Sequence, residues 1–165
     1  MTRKEYNYCV EQYADGLYRF VLKNLHDSEK ARDIVQETFT KVWQKVNDIN
    51  FAKSKSYLFT TAYHTMIDFI RREERLTPLE THHQNQRADY NRFSDLREVL
   101  DEALKTLPEI QKAVVLLRDY EGYAYHEIGE ITGLSEAQVK VYIFRARTTL
   151  KNYIQKLDLV LEERA

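Results

Sequence analysis

Apolar residues recur every three or four positions through most of this chain, and this helical period is the feature that most restricts its fold. The 165 residues include only four glycines and two prolines, too few for the many tight turns of a sandwich or barrel. Apolar residues make up 43% and charged residues 31%, which is typical of a folded chain rather than a disordered one. The sequence therefore predicts an all-α fold.

A polar stretch without periodicity, residues 76–94, divides the helical pattern into two parts and contains the first proline of the chain. We interpret this stretch as a polar linker between two small helical domains. The expected domains are residues 1–75, with three or four helices, and residues 95–165.

Three helices are predicted in the first domain. They cover Tyr6–Leu25, a segment that starts at Ser28 as the N-cap, and Ser56–Arg75. In the second helix the expected buried stripe is Val35, Phe39, Val42 and Val46. The polar face opposite this stripe, with its flanks, consists of Asp33, Gln36, Glu37, Thr40, Lys41 and Gln44.

The third helix has two expected faces. Its buried stripe is Leu58, Ala62, Thr65, Met66 and Phe69. Its outer face presents Tyr57, Thr60, His64, Ile67, Asp68 and Arg71. Without further information, both this face and the polar face of the second helix are ordinary solvated helix surfaces.

The second domain has the pattern of a helix-turn-helix. A stripe from Leu96 to Leu107 precedes Pro108, which suits the first position of the next helix, and Gly122 ends that helix. A short helix, 124–132, then ends at Gly133, and a long helix begins at Ser135.

The long helix carries apolar residues on two sides. Ser135 and Gln138 have the spacing of a capping box, which fixes where the helix begins. Its expected buried stripe is Val139, Ile143, Ala146 and Leu150. Ala137, Val141, Phe144, Arg145 and Thr148 point the other way, and Gln138 and Lys140 lie on the shoulders.

We call this opposite surface, with its shoulders, the front of the helix. It can enter a major groove of DNA, where Gln pairs with adenine, Lys or Arg with guanine or phosphate, and Val or Phe with a thymine methyl. Positive charge is concentrated here, because residues 135–156 contain five Lys and Arg residues and only one acidic residue, Glu136. The alternative that remains open is that Val141 and Phe144 pack against another helix of the same protein.

Three segments resemble extracytoplasmic-function (ECF) sigma factors, a group of RNA polymerase sigma subunits. Residues 104–151, with a Leu-Pro before an apolar helix and a Val-Lys…Arg-Ala-Arg recognition helix, resemble the region that binds the promoter −35 element. ARDIVQETFTKVW (31–43) and SYLFTTAYHTMIDFIRRE (56–73) resemble the family's polymerase-binding and promoter-melting helices. The resemblance covers most of the chain, in family order.

This resemblance implies a role for each face. The surface that would grip the clamp helices of the polymerase largest subunit is Asp33, Gln36, Glu37, Thr40 and Lys41. The surface that would capture the unpaired −10 strand is Tyr57, Thr60, His64, Ile67, Arg71 and Arg72. The −35 element would be read by Ser135, Glu136, Gln138, Lys140, Val141, Phe144 and Arg145. Residues 107–120 would meet the polymerase flap tip.

Some residues depart from the family pattern. His64 stands where Asn is usual, and Tyr57 where Trp is frequent. Ala124 replaces a Ser or Thr cap of the first helix of the helix-turn-helix, which should cost about 1 kcal/mol. Tyr142 replaces a common Arg and so removes a phosphate contact expected from the recognition helix.

The expected function is promoter-specific transcription initiation, with core RNA polymerase and promoter DNA as partners and an anti-sigma factor as a candidate regulator. No enzymatic activity, cofactor, metal or membrane insertion is expected, and the single cysteine, Cys9, suits the cytoplasm. The alternative is a stand-alone helix-turn-helix regulator that binds duplex DNA. A metal site formed by His64 and Asp68 is a weaker hypothesis, because no third ligand lies near them in sequence.

Overall fold

The computed structural model describes residues 1–76 and 96–164, and all regular structure in these two ranges is helical. The helices of the first half are α1 (Arg3–Leu25), α2 (Ser28–Gln44) and α3 (Ser54–Leu76), with short 3₁₀ turns at Val46–Asp48 and Phe51–Lys53. The second half contains α4 (Leu96–Lys105), α5 (Glu109–Val115), α6 (Tyr125–Thr132) and α7 (Glu136–Arg164). The predicted all-α fold is confirmed.

In the first half, three helices pack around one apolar core. Side chains of α1, α2 and α3 that are at most 2% exposed form its centre: Cys9, Leu17, Phe20, Val21, Ala31, Ile34, Val42, Leu58, Phe59, Ala62 and Met66. The rings of Phe20 and Phe59 lie 5.8 Å apart at their centroids and join α1 to α3. This core orients the polar face of α2 and the outer face of α3 toward solvent.

The starts of α1 and α2 differ from the sequence expectation. α1 begins at Arg3 because Thr2 and Glu5 form a capping box, in which Thr2 Oγ1 accepts from Glu5 N at 3.1 Å. The N-cap of α2 is Asp27 rather than Ser28, since its carboxylate accepts from Lys30 N at 3.1 Å.

The stripe predicted for α2 was partly wrong. Ala31, Ile34 and Thr38 are buried there, whereas Val35 and Val46 are only partly buried. Thr38 is accommodated because its hydroxyl donates to Ile34 O at 2.7 Å, so a polar side chain enters the core with its donor satisfied.

In the second half, α5 and α6 pack against α7, and Ile128, Ile131, Val139 and Ile143 are at most 1% exposed. The chain leaves α5 through a wider π-type turn, Leu116–Tyr120, and Gly122 then reverses it with φ 75°. Leu96, placed by the sequence in a buried stripe, is 64% exposed, because it lies at the very start of α4.

The predicted linker lies almost wholly outside the described residues, which resume at 96, and Leu76 at its start is the last residue of α3. The two halves contact each other directly: α3 packs on α6, and α1 packs on α4, α5 and the π-type turn. Buried side chains of both halves form one continuous core. Within residues 1–76 and 96–164, no helix has an apolar stretch long enough to cross a bilayer.

His26 ends α1 in the left-handed region, with φ 57°, and its backbone N–H donates to Leu22 O at 2.7 Å. Burial, together with the charges of Lys112 and Lys105, lowers the pKa of His26 to about 4, while Asp101 and Glu102 oppose the shift. The imidazole is therefore neutral in the folded protein at pH 7.

Acidification is expected to destabilise the fold through His26. Between pH 6.5 and 4 this histidine binds a proton in the unfolded chain but not in the folded chain. The free energy of unfolding therefore falls as pH falls. His26→Asn keeps a residue that tolerates positive φ. From pH 7 to pH 5 this variant should lose about 1–2 kcal/mol less than the wild type, a figure reduced for partial solvent exposure. Urea unfolding at the two pH values measures the difference, and identical losses would contradict the assignment.

Candidate functional site

The helix-turn-helix is formed by α6, the turn at Gly133, and α7. Gly133 takes φ 78° and its N–H donates to Gly129 O at 2.8 Å, which closes α6. At the start of α7 the expected capping box is present: Gln138 N donates to Ser135 Oγ at 3.2 Å, and Ser135 N donates to Gln138 Oε1 at 3.0 Å. The direction of α7 is therefore fixed locally.

The front of α7 is solvent-exposed. Phe144 is 71% exposed and Val141 46%, so neither packs against another helix in the described part of the chain. This excludes the alternative that these two side chains belong to a core. Exposed apolar side chains on a capped helix, beside basic residues, are suited to contact base edges in a groove.

The polar residues of this front differ in how free their side chains are to contact DNA. Arg145 is exposed and makes no ion pair within the described residues. Lys140 Nζ lies 3.6 Å from Glu136 Oε1 and 5.5 Å from the centroid of the Tyr125 ring. Gln138 uses its amide oxygen in the capping box, so a bidentate contact with adenine requires that hydrogen bond to break. Among the basic side chains of this front, Arg145 is therefore the one that can bind DNA without first breaking a contact within the protein.

Tyr142 lies on the back of α7, partly buried against the core. Its position explains why an aromatic residue is tolerated where the family often has Arg. At the other end of the motif, Ala124 provides no side-chain cap for α6, but its N–H donates to Glu127 Oε1 at 2.9 Å. Half of a capping box is therefore retained.

Close packing within the turn depends on Gly129. A Cβ atom at this position would lie 2.8 Å from the backbone oxygen of Leu134, which cannot move without shifting the turn. Gly129→Ala is expected to cost about 1–3 kcal/mol of stability and to weaken DNA binding, because α7 is displaced from α6. The matched control is Gly16→Ala in α1, where the nearest atom is 3.5 Å away.

Thermal unfolding of both variants measures this effect. Gly16→Ala should be neutral or stabilising by up to about 1 kcal/mol, since alanine is the better helix former. Equal stability of the Gly129→Ala variant and the wild type would contradict the packing of the turn.

The polar face of α2 is exposed as expected. Asp33, Gln36, Glu37 and Thr40 are all open to solvent, and Thr40 donates its hydroxyl to Gln36 O at 3.0 Å. Lys41, at the edge, is held by Thr65 Oγ1 at 3.0 Å and by Glu37 Oε1 at 3.2 Å. Trp43, at the end of α2, was not among the residues predicted for this surface. It is 45% exposed, and the centroid of its ring lies 4.9 Å from that of Tyr6 in α1.

The outer face of α3 is mixed in exposure. His64, Arg71 and Arg72 are exposed, whereas Tyr57, Thr60 and Ile67 are partly buried. The Thr60 hydroxyl donates to Ser56 O at 2.7 Å and so is satisfied within the helix.

A depression of about 400 Å³ lies between α2 and α3 and joins the two predicted surfaces. It is lined by residues from both: Glu37, Lys41, Thr65, Asp68, Arg71, Arg72 and Arg75. Arg75 is the member that sequence reasoning missed. Because four basic side chains and only two acidic ones line this depression, it is suited to bind the phosphates of a nucleic-acid strand.

His64 and Asp68 do not gain a third ligand. In residues 1–76 and 96–164, no group of three or more His, Cys, Asp or Glu side chains could hold a metal ion. His82 and His83 of the predicted linker lie outside the described residues.

Comparison with known proteins identifies both halves. Residues 9–76 match the family model "Sigma-70 region 2", and residues 97–150 match "Sigma-70, region 4". RNA polymerase sigma factor SigV of Bacillus subtilis is 28% identical over 156 residues, which are 92% of each chain. ECF sigma factor SigM of the same organism is 28% identical over 146 residues, 86% of this chain and 90% of SigM.

The fold is also similar to a solved structure. The sigma factor RpoE from Bartonella quintana, in complex with the anti-sigma factor NepR, gives a TM-score of 0.76 at 22% identity. The match covers 92% of this chain and 98% of that one, so the likeness extends over both halves of the fold.

Proposed function

The chain belongs to the ECF group of the sigma-70 family, and from this membership we propose that it binds core RNA polymerase and directs it to promoters. The single observation that carries the proposal is the match of residues 9–76 to sigma-70 region 2 on the same chain as a region 4 helix-turn-helix. The front of α7, where Phe144, Val141 and Arg145 are exposed on a capped helix, supports the DNA-reading part of it. In this function α7 reads the −35 element as duplex DNA, through base edges and neighbouring phosphates.

The first half has the two remaining tasks. The polar face of α2 binds the clamp helices of the polymerase, and the outer face of α3 captures the unpaired −10 strand. Tyr57 provides a stacking surface for a base, while Arg71 and Arg72 neutralise phosphates. The basic depression between α2 and α3 supports this arrangement, because it places those arginines beside the polymerase-binding residues Glu37 and Lys41.

Promoter opening in this proposal requires no bond-making chemistry and no cofactor. Base pairs are lost, and the exposed bases gain stacking and phosphate contacts on α3. The domains are residues 1–75 and 95–165, joined by residues 76–94, and the protein acts in the cytoplasm, where the polymerase is found. The complex of the similar RpoE with NepR supports an anti-sigma factor as a further partner.

The alternative, a stand-alone regulator that binds duplex DNA, is not favoured. It explains the helix-turn-helix but assigns no task to residues 9–76, which match a sigma-specific region. Gel filtration with purified core polymerase separates the two functions. A sigma factor co-elutes with the core enzyme, whereas a stand-alone regulator elutes alone and shifts operator DNA without polymerase.

A further inference from the structure

A cavity of about 660 Å³ lies at the C-terminal ends of α1 and α3, beside the turn from α4 to α5. It shares no residue with the basic depression between α2 and α3, and none of its lining residues belongs to the clamp, −10 or −35 surfaces. Pockets that hold small organic molecules have volumes of about 300–1,000 Å³. The cavity is therefore large enough for a ligand that the promoter function does not use.

Three buried polar atoms in its lining residues have no hydrogen-bond partner among the described residues. Asn24 is 5% exposed, and its Nδ2 donates to Phe20 O at 2.7 Å, which leaves its Oδ1 unpaired. The other two atoms are Oε1 of Glu109 and Nε2 of His26. Buried polar groups nearly always have a partner in folded proteins, and two of these three are oxygens that accept. A ligand with N–H donors would satisfy them.

The three lysines that line the cavity are already engaged within the protein. Lys30 Nζ lies 2.7 Å from Glu73 Oε1, and Lys105 Nζ lies 2.7 Å from Glu102 Oε1. Lys112 Nζ donates to a backbone oxygen at the end of α1 at 2.8 Å. These cations are therefore not free to hold an anionic ligand.

Two carboxylates of the lining, by contrast, lack a cation. Glu74 and Glu109 form no ion pair in the parts of the chain that the structure describes. Burial and the charge of Glu74 raise the pKa of Glu109, whereas Lys112 and Arg71 oppose the shift. Two unpaired carboxylates that raise each other's proton affinity attract a ligand with more than one positive charge.

The remaining wall of the cavity is apolar. Leu25, Ile70 and Leu107 line it, and Leu107 is 6% exposed. A bare metal ion would leave this wall uncovered, and no group of three metal-ligating side chains exists in residues 1–76 and 96–164. Hydrocarbon between charged ends matches the lining better.

We propose that this cavity binds a linear aliphatic polyamine. Its ammonium groups donate to the carboxylates of Glu109 and Glu74 and to the amide oxygen of Asn24. Its methylene groups lie against the apolar wall. The site goes beyond the sigma function, and its test needs neither polymerase nor promoter DNA.

Isothermal titration of the full chain with spermidine tests the proposal. At about 0.15 M salt, which screens pairing with exposed surface charges, one spermidine should bind with a Kd of roughly 10–100 μM. Butylamine, with one charge, should bind at least about tenfold more weakly. Magnesium chloride at the same concentration should give no saturable heat. Absence of saturable spermidine binding would mean that the cavity holds only water, and an equal response to magnesium would mean unspecific charge screening. Either result would overturn the proposal.

Glu109→Gln locates the bound spermidine. This variant keeps the shape of the side chain and removes one carboxylate, so the Kd for spermidine should rise at least about tenfold. Glu130→Gln is the matched control, since it makes the same charge change at an exposed position of α6 outside the cavity. Its Kd should equal that of the wild type.

Thermal unfolding provides the second readout. Spermidine at ten times its Kd should raise the Tm of the wild type and of the Glu130→Gln variant by roughly 3–6 °C. The rise for the Glu109→Gln variant should be less than half of this. Without ligand this variant should unfold at or above the wild-type Tm, because it removes a partly buried, unpaired charge. Equal spermidine affinity of all three proteins would place the bound molecule elsewhere and overturn the assignment.

Discussion

Glu37→Lys is expected to weaken binding to core RNA polymerase at least about tenfold. Glu37 lies exposed at the centre of the polar face of α2, where Lys41 Nζ is 3.2 Å from its carboxylate. Reversal of this charge replaces an ion pair with two adjacent cations on the surface proposed to meet the polymerase. If the polymerase buries and pairs this carboxylate, its loss costs about 2–5 kcal/mol, the range for one partner of a buried, hydrogen-bonded interfacial charge pair, which is more than tenfold in affinity.

Equilibrium titration of labelled protein with core polymerase measures the change. Glu11→Lys is the matched control, since it makes the same charge change at an exposed position of α1. The fold should be unaffected, because an exposed pair at i,i+4 contributes only about 0.3–0.5 kcal/mol. Undiminished association of the Glu37→Lys variant would remove α2 from the polymerase interface.

Arg145→Ala is expected to reduce transcription from cognate promoters about tenfold or more. Arg145 is exposed on the front of α7 and makes no ion pair within the described residues, so its removal should not destabilise the fold. A bidentate contact of arginine with guanine is worth about 1–3 kcal/mol of discrimination between bases. The effect should disappear on promoters whose −35 element is already mutated.

Lys156→Ala is the matched control for this variant, because it removes the same charge about 16 Å further along α7. Lys140→Ala should have a smaller effect than Arg145→Ala, since Lys140 is already engaged by Glu136 and Tyr125. Equal transcription by the Arg145→Ala variant and the wild type would show that the recognition face is misassigned.

Periodicity alone was enough to predict the helices, the polar face of α2 and most of the buried stripe of α7, in which Leu150 is only partly buried. It could not decide whether Val141 and Phe144 face solvent or another helix, because an apolar arc does not identify its neighbour. Their exposure decides this point. The capping box of Ser135 and Gln138, by contrast, was predicted from their spacing and is present in the structure.

Whether the two halves pack together could not be decided from the sequence, for a related reason. Phe59 and Tyr63 adjoin the stripe predicted for α3 and are buried, but periodicity does not say which neighbouring element covers them. Tyr123 stands in a turn without any periodicity that would mark it as buried, yet it is 3% exposed between the halves.

Reconstituted run-off transcription tests the central claim most directly. Purified core polymerase, this protein and a library of promoter sequences are combined, and the RNA start sites are mapped. We predict initiation only when the protein is present, at promoters that share one −35 and one −10 element. An absence of protein-dependent initiation, together with specific binding of duplex DNA in the absence of polymerase, would contradict the sigma function.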